Sequence, residues 1–382
     1  MNNLNIVGKD SNKYSIEIKD QKIVKVVKSK ELKNTPTDET INFANVLAFP
    51  GIINSHDHLE FNLFPKLGNK KYQDYVEWGE DIHQKNSEII QSVLKIPLDL
   101  RIKFGIYKNL LCGITTIIHH GNMFDSFNNE IIDIQTGGAI IHSVQLEKNW
   151  KLKLNNPINF EKILIHTGEG NNENSKTEID ELIKWNLLNK KLIGIHAIGM
   201  NEKQAKHFNA IIWCPASNFF LYGKTTDINL LKTQTKILFG TDSTTSADWN
   251  FWEHLRLAKK LNFFDDFELF NSVTKNSAEV FNLKNTGELK ENYFADIIIA
   301  KKKIGNIWEA FYSVNPEDII LILKKGKTVL FDEEISKDIK PFASKKFYKF
   351  NFKNKTKFTL YDINESIEQA KSYNPEIIIP FL

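Results

Sequence analysis

The chain has 382 residues with 50 basic and 47 acidic side chains, and a net charge of +3 excludes a nucleic-acid protein held by a dominant basic face. Hydrophobic residues make up 41% and charged residues 25%, enough for a sizeable core, while 18 Gly and 10 Pro exclude a collagen-like or low-complexity chain. The two cysteines, Cys112 and Cys214, exclude a disulfide framework or a cysteine-rich zinc module, and their apolar contexts read as buried free thiols. The N-terminal residues lack a charged segment followed by an apolar stretch, and no run approaches the ~18 apolar residues of a membrane span. A cytoplasmic protein with no membrane partner is therefore expected.

The first fifty residues read as short strands. Tyr14–Ile18 and Lys22–Val27 alternate, Thr35-Pro36-Thr37-Asp38 marks a loop, and Val46–Pro50 runs into a further strand at Gly51–Asn54. The pattern then changes to strands alternating with helices. Apolar residues recur at helical spacing over residues 88–111, with Pro97 dividing that stretch. Strands are predicted at Thr115–Ile118, Ala139–Val144, Ile163–Ile165, Leu192–Ile195, Ile211–Cys214 and Ile237–Phe239, with helices at Ile179–Leu188 and Trp252–Lys260. Such a sustained alternation predicts a parallel (β/α) barrel over residues 50–284. After about residue 285 strands return, at Ala295–Ala300, in a hairpin of Ile319–Leu323 with Thr328–Phe331, and in an aromatic edge strand at Phe347–Phe352. The two β-rich ends, residues 1–49 and 285–382, predict one small β-sandwich domain built from both termini.

Four barrel strands end in side chains that carry chemistry. His56 and His58 in Ser55-His56-Asp57-His58 share a face of an extended chain, because residues i and i+2 do. His166 and Glu169 close Ile163–Ile165, His196 closes Leu192–Ile195, and Asp242 follows Ile237–Phe239. Each motif alone is weak. Together they place imidazoles and one carboxylate at the C-terminal edge of a parallel barrel, which is its active face. Several imidazoles with one carboxylate and a position left for water form a catalytic zinc pattern.

With these motifs the chain resembles the amidohydrolase superfamily, in the branch of the cytosine and guanine deaminases and the chlorohydrolase-like aminohydrolases. The residues that carry the resemblance are Phe49–His58, Gly113-Ile114-Thr115-Thr116, His166–Glu169, His196, Cys214-Pro215-Ala216-Ser217-Asn218 and Gly240-Thr241-Asp242-Ser243. Gly287-Glu288-Leu289, Ala295–Ile299 and Pro316–Ile319 look like the family's return into its β domain. The resemblance implies one divalent metal per chain, zinc before iron, on His56, His58 and His166 with Asp242. It implies catalytic roles for Glu169 as proton shuttle, for His196 beside the substrate and for Asp242 as the group that takes a proton from water. No lysine stands at a strand end to suggest a bridged two-metal site.

The implied activity is hydrolytic deamination of an aminated heterocycle or an amidine-like small molecule. The alternatives are hydrolysis of another C–N bond or a C–halogen bond on the same scaffold, and a non-catalytic barrel. No nucleic-acid partner is expected, and a homodimer is the assembly that relatives suggest. Between His58 and His166 the chain is short for a member of this branch. A barrel trimmed or irregular between its second and fifth strands is therefore expected, with Lys151–Leu154 as a poor candidate for a missing strand. Substrate contacts are expected from His119 or His120 at a strand end, from Phe64 and Trp78 in the aromatic loop after His58, and from Asn218. His142 lies within a strand and is expected in the core or behind the metal ligands.

Overall fold

The computed structural model describes residues 1–31, 40–124, 127, 129–158, 160–339 and 345–382, so the expected loop Thr35–Asp38 lies outside the described residues. Seventeen strands are described: β1 (Asn5–Ile6), β2 (Tyr14–Lys19), β3 (Lys22–Lys28), β4 (Val46–Pro50), β5 (Ile52–Asp57), β6 (Ile114–His119), β7 (Asp133–Gln135), β8 (Ala139–Ser143), β9 (Lys162–Thr167), β10 (Lys191–His196), β11 (Phe208–Trp213), β12 (Lys236–Phe239), β13 (Ile297–Lys301), β14 (Ile319–Lys324), β15 (Lys327–Asp332), β16 (Tyr348–Phe352) and β17 (Lys355–Thr359). No helix among the described residues is long and apolar enough to cross a membrane.

β5 to β12 are the eight barrel strands. They form two parallel arcs, β5-β6-β7 and β8-β9-β10-β11-β12, in chain order. The arcs meet where β12 ends against β5, and there the backbone N–H groups of Thr241 and Asp242 each donate to the His56 carbonyl at 3.1 Å. Gly240 makes that approach feasible, since a Cβ on it would stand 2.7 Å from the Cβ of His56. Strands such as β5, β6 and β9 are buried along their whole length, as expected of parallel strands covered by helices.

The irregularity expected from the short interval lies between β7 and β8, which do not pair. The missing strand is not Lys151–Leu154. Residues Trp150–Leu154 form a helical turn, and the third barrel strand is the three-residue β7. Its Asp-Ile-Gln is too short to show a period of two. One helix also starts earlier than its apolar residues imply. It spans Glu173–Trp185 rather than beginning at Ile179, because the Asn172 side chain caps it by accepting from Ser175 N–H. Pro97 divides Ser87–Leu94 from Leu98–Leu111 as the sequence predicts.

Strands from both ends of the chain share one seven-stranded sheet, in the order β1-β4-β13-β14-β15-β17-β16. The β2–β3 ribbon packs over it through a second core that joins Ile16 and Ile23 to Ile297, Ile299 and Leu321. β16 is the edge strand, as its alternation implied. The last residues fold back on the barrel, where Phe381 packs against Phe104 and against Trp249 in the segment after Asp242. Cys112 and Cys214 are buried free thiols.

Candidate metal centre

Alternation along β5 separates neighbouring side chains. Asp57 turns back to Asn109 on the helix Leu98–Leu111, while His56 and His58 turn to the barrel mouth with ring centroids 4.9 Å apart. His56 Nε2 stands 3.3 Å from His166 Nε2 at the end of β9 and 3.8 Å from Asp242 Oδ1 beyond β12. His58 Nε2 is 3.9 Å from the same carboxylate oxygen. Candidate ligand atoms of His56, His58 and His166 lie within 4.8 Å of one another, as do those of His56, His196 and Asp242. The structure therefore brings together around His56 the five residues that the sequence placed on four separate strands.

The donor chemistry fits a divalent cation. His166 Nδ1 lies 2.9 Å from the His142 carbonyl, which can only accept, so Nδ1 carries the hydrogen and Nε2 presents its lone pair. That lone pair faces His56 Nε2 across 3.3 Å with a carboxylate alongside. Burial, with the neighbouring histidines, holds His56, His166 and His120 well below the ordinary imidazole range, which keeps the neutral, ligating form. A nitrogen and carboxylate set without thiolate suits zinc and also iron.

Around this point each polar group is oriented by another. Asp242 Oδ2 accepts from Ser217 Oγ at 2.8 Å and Ser246 Oγ at 2.7 Å, and Oδ1 accepts from Ser243 N–H at 2.8 Å. Burial pushes this carboxyl up, but His196, His58 and the two hydroxyls outweigh it and hold it below the usual carboxylate value. His196 Nδ1 donates to Asn218 Oδ1 at 2.8 Å, and its Nε2 faces Glu169 Oε1 at 3.6 Å. Glu169 is buried and raised by that burial, and its Oε1 accepts from the Tyr222 hydroxyl at 2.8 Å. His196, Ala197 and Asp242 all have positive φ, a conformation that L residues rarely adopt and that clusters at functional sites.

The expected substrate contacts divide. His120 lies against the rings of the candidate ligands, 4.4 Å from His166 by centroid, and neither of its buried nitrogens has a hydrogen-bond partner among the described residues. His119 turns away and lodges against Phe127, with Nδ1 3.9 Å from Glu60. Phe64 is a core residue, and Trp78 is tied to the Leu67 carbonyl at 2.9 Å while packing on the apolar core. The aromatic loop therefore packs onto the barrel, and its rings serve the fold first. Asn218 is fully engaged behind His196, where its amide nitrogen reaches Thr225 Oγ1 at 3.1 Å. His142 is exposed rather than in the core, and it stands behind His166, with its carbonyl 2.9 Å from His166 Nδ1 and its ring 5.3 Å from that ring by centroid. Tyr222 and Ser246 escaped the sequence reading, and Ser217 entered it only as part of the Cys214–Asn218 motif, without a role. Ser246, four residues after Asp242, had a local signal, whereas Tyr222 reaches Glu169 across 53 residues.

A second carboxylate supports the Glu169 loop. Glu178 accepts from Gly168 N–H at 2.8 Å, from the Tyr75 hydroxyl at 2.9 Å and from the Gln145 amide at 3.0 Å. Burial pushes its carboxyl from 4.5 up to about 7. A carboxyl raised in the folded state contributes stability that is complete below its unfolded pKa and is lost as pH rises through the folded one. Wild type should therefore lose up to about 3 kcal/mol relative to Glu178→Gln between pH 5 and pH 8. Urea unfolding of both proteins at the two pH values checks this, and a difference that stays constant with pH would contradict it.

Known proteins share this architecture. Residues 161–329 match the model of the amidohydrolase family. The chain is 22% identical to a 5-methylthioadenosine/S-adenosylhomocysteine deaminase of Caldicellulosiruptor saccharolyticus, over 84% of this chain and 89% of that one. A protein of the same name from Pyrococcus horikoshii is also 22% identical, over 81% and 89%. Among solved structures, atrazine chlorohydrolase TrzN from Arthrobacter aurescens, complexed with zinc, superposes with a TM-score of 0.70 at 16% identity, over 97% of this chain and 98% of that one. An adenosine deaminase from Xanthomonas campestris with bound zinc gives a TM-score of 0.66 at 14% identity, over 95% and 93%. Over residues 161–329 the chain matches the amidohydrolase family, and its barrel with the histidine and aspartate constellation is similar to these relatives.

Proposed function

We propose that the protein is a metal-dependent hydrolytic deaminase of an aminated heterocycle, with one zinc held by His56, His58 and His166 together with Asp242. The observation that carries this reading is the convergence of those ligands beside a buried Glu169–His196 pair. The ion's contribution, when bound, is Lewis-acid activation of a water near neutral pH.

The chain's own groups supply the rest. Asp242 Oδ1 faces the ligand nitrogens and takes the water's proton, while its Oδ2 stays pinned by Ser217 and Ser246. Glu169, raised by burial, is the group that carries a proton to the ring nitrogen next to the attacked carbon. That protonation lets the ring carbon accept the new C–O bond, and a second proton transfer to the amino group releases ammonia. His196 Nε2 faces the same space from the other side, oriented through Asn218. His120 offers two unpartnered nitrogens to a polar edge of the substrate.

The sequence relatives bear the name 5-methylthioadenosine/S-adenosylhomocysteine deaminase, and this favours an adenosine-like amine over the atrazine of the structural neighbour's name. Zinc-loaded protein should release ammonia from 5-methylthioadenosine, S-adenosylhomocysteine or another aminated heterocycle. A screen that includes atrazine, with ammonia and chloride both measured, decides between the leaving groups. Chloride release without ammonia from any amine would replace deamination by C–halogen hydrolysis.

A further inference from the structure

We propose that Lys108 is a positioning residue for the metal centre, acting through a buried polar network that spans the seam where the barrel closes. The inference rests on the metal-dependent reading above. Asn54, Asp57, Asn62, Lys108, Asn109 and Thr241 are each 1% exposed or less. They come from β5, from the turn after His58, from the helix Leu98–Leu111 and from the segment after β12. None of them faces the reacting space. They lie behind the two segments that supply His56, His58 and Asp242.

The connections are specific. Lys108 Nζ stands 3.0 Å from Asp57 Oδ2, donates to Asn62 Oδ1 at 2.8 Å and reaches the Asp242 carbonyl at 3.4 Å. Asp57 Oδ2 also accepts from Asn109 at 2.7 Å, and Oδ1 accepts from Asn62 at 2.8 Å. Asn54 bridges the seam, donating to Thr241 Oγ1 at 2.8 Å and accepting from Thr241 N–H at 3.1 Å. Thr241 Oγ1 in turn donates to the Asp242 carbonyl at 3.0 Å. The helix is pressed into this place, because a Cβ on Gly105 would meet the Leu59 carbonyl at 2.3 Å.

Packing alone does not account for such a network. A buried ion pair is costly to desolvate, and an apolar pair of similar volume often stabilises a fold as well or better. What this pair adds is register. Asp57 stands between the two histidine ligands, and Asp242 has a φ of +58°, a backbone state that persists only where neighbours over-determine it. Lys108 ties both to one ammonium. Neither Lys108 nor Asp57 falls in the span 161–329 that matches the family model.

The test is zinc affinity, measured by chelator competition, beside the melting temperature. The variant is Lys108→Met with Asp57→Asn, which removes both charges together. It should remain folded and hold zinc about 10- to 100-fold more weakly, the usual loss when a partner behind metal ligands is removed. Thr241→Val takes one hydroxyl from the same network without burying a lone charge, and should weaken zinc at the lower end of that range, about 10-fold. It keeps the inference testable if the double variant does not fold. Lys324 of the terminal sheet forms a comparably buried pair with Asp296 at 2.8 Å, and it also reaches Asp133 of β7 at 2.6 Å, away from the metal centre's seam. Lys324→Met with Asp296→Asn should change the melting temperature and leave zinc affinity as in wild type. Wild-type zinc affinity in the Lys108 double variant, or in Thr241→Val where the double variant does not fold, would overturn the inference, provided His58→Ala loses zinc. If His58→Ala also holds zinc like wild type, the metal reading itself falls and takes this inference with it.

Discussion

Replacing His56 with Ala should abolish both zinc retention and turnover while leaving the barrel folded. His56 has the most central position in the cluster, with its ring 4.9 to 5.8 Å by centroid from those of His58, His120, His166 and His196. Its Nε2 faces both His166 and Asp242. Losing a direct ligand should cost more than the ~100-fold in affinity that loss of a supporting partner costs. The fold should persist because the seam is held at this position by the His56 carbonyl, which the substitution keeps. Metal per chain after desalting, with activity on the same sample, is the measurement. Wild-type metal content in His56→Ala would remove this residue from the ligand set. In wild type, stripping with a chelator should abolish turnover and added zinc should restore it.

Glu169→Gln should lower kcat by about 10²- to 10⁴-fold, the range that a positioned proton-transfer group contributes. The substitution keeps the shape and the oxygen that accepts from Tyr222, so only the transferable proton is lost. Zinc content should therefore stay at the wild-type level. Asp242→Asn should behave differently. Asp242 Oδ1 faces His56 and His58, so that variant should lose zinc as well as turnover. Measuring kcat and metal content together separates the two acids. A Glu169→Gln enzyme with full kcat on its own substrate would remove Glu169 from the proton-transfer role.

The architecture was legible where the side chains carry periodicity. The strands Ile163–Ile165 and Ile237–Phe239 are short apolar runs closed by His166 and, after Gly240-Thr241, by Asp242, and both runs and both endings stand where the pattern put them. Chemistry at strand ends can be read from sequence because a parallel barrel brings all its C-terminal ends to one face. β7 could not be read that way. Three residues show no period, and its strand character comes from pairing with β6. The helix start at Glu173 was hidden for a related reason, since its first turn is polar and only the Asn172 cap marks it.

The sequence by itself determined which side chains could ligate a metal and on which strands they stand, because imidazole, carboxylate and the two-residue repeat of a strand are local properties. It also determined that one sheet would draw on both termini, since the strand pattern breaks off near residue 50 and returns near 285. Only the tertiary structure decided which of two adjacent histidines faces the ligands, for His119 and His120 differ in the walls around them and not in type. It alone paired Tyr222 with Glu169 across 53 residues and Lys108 with the Asp242 carbonyl across 134. Such pairings depend on how helices and strand ends pack in space. No local propensity encodes them, because a hydrogen bond between distant segments exists only after the barrel has closed.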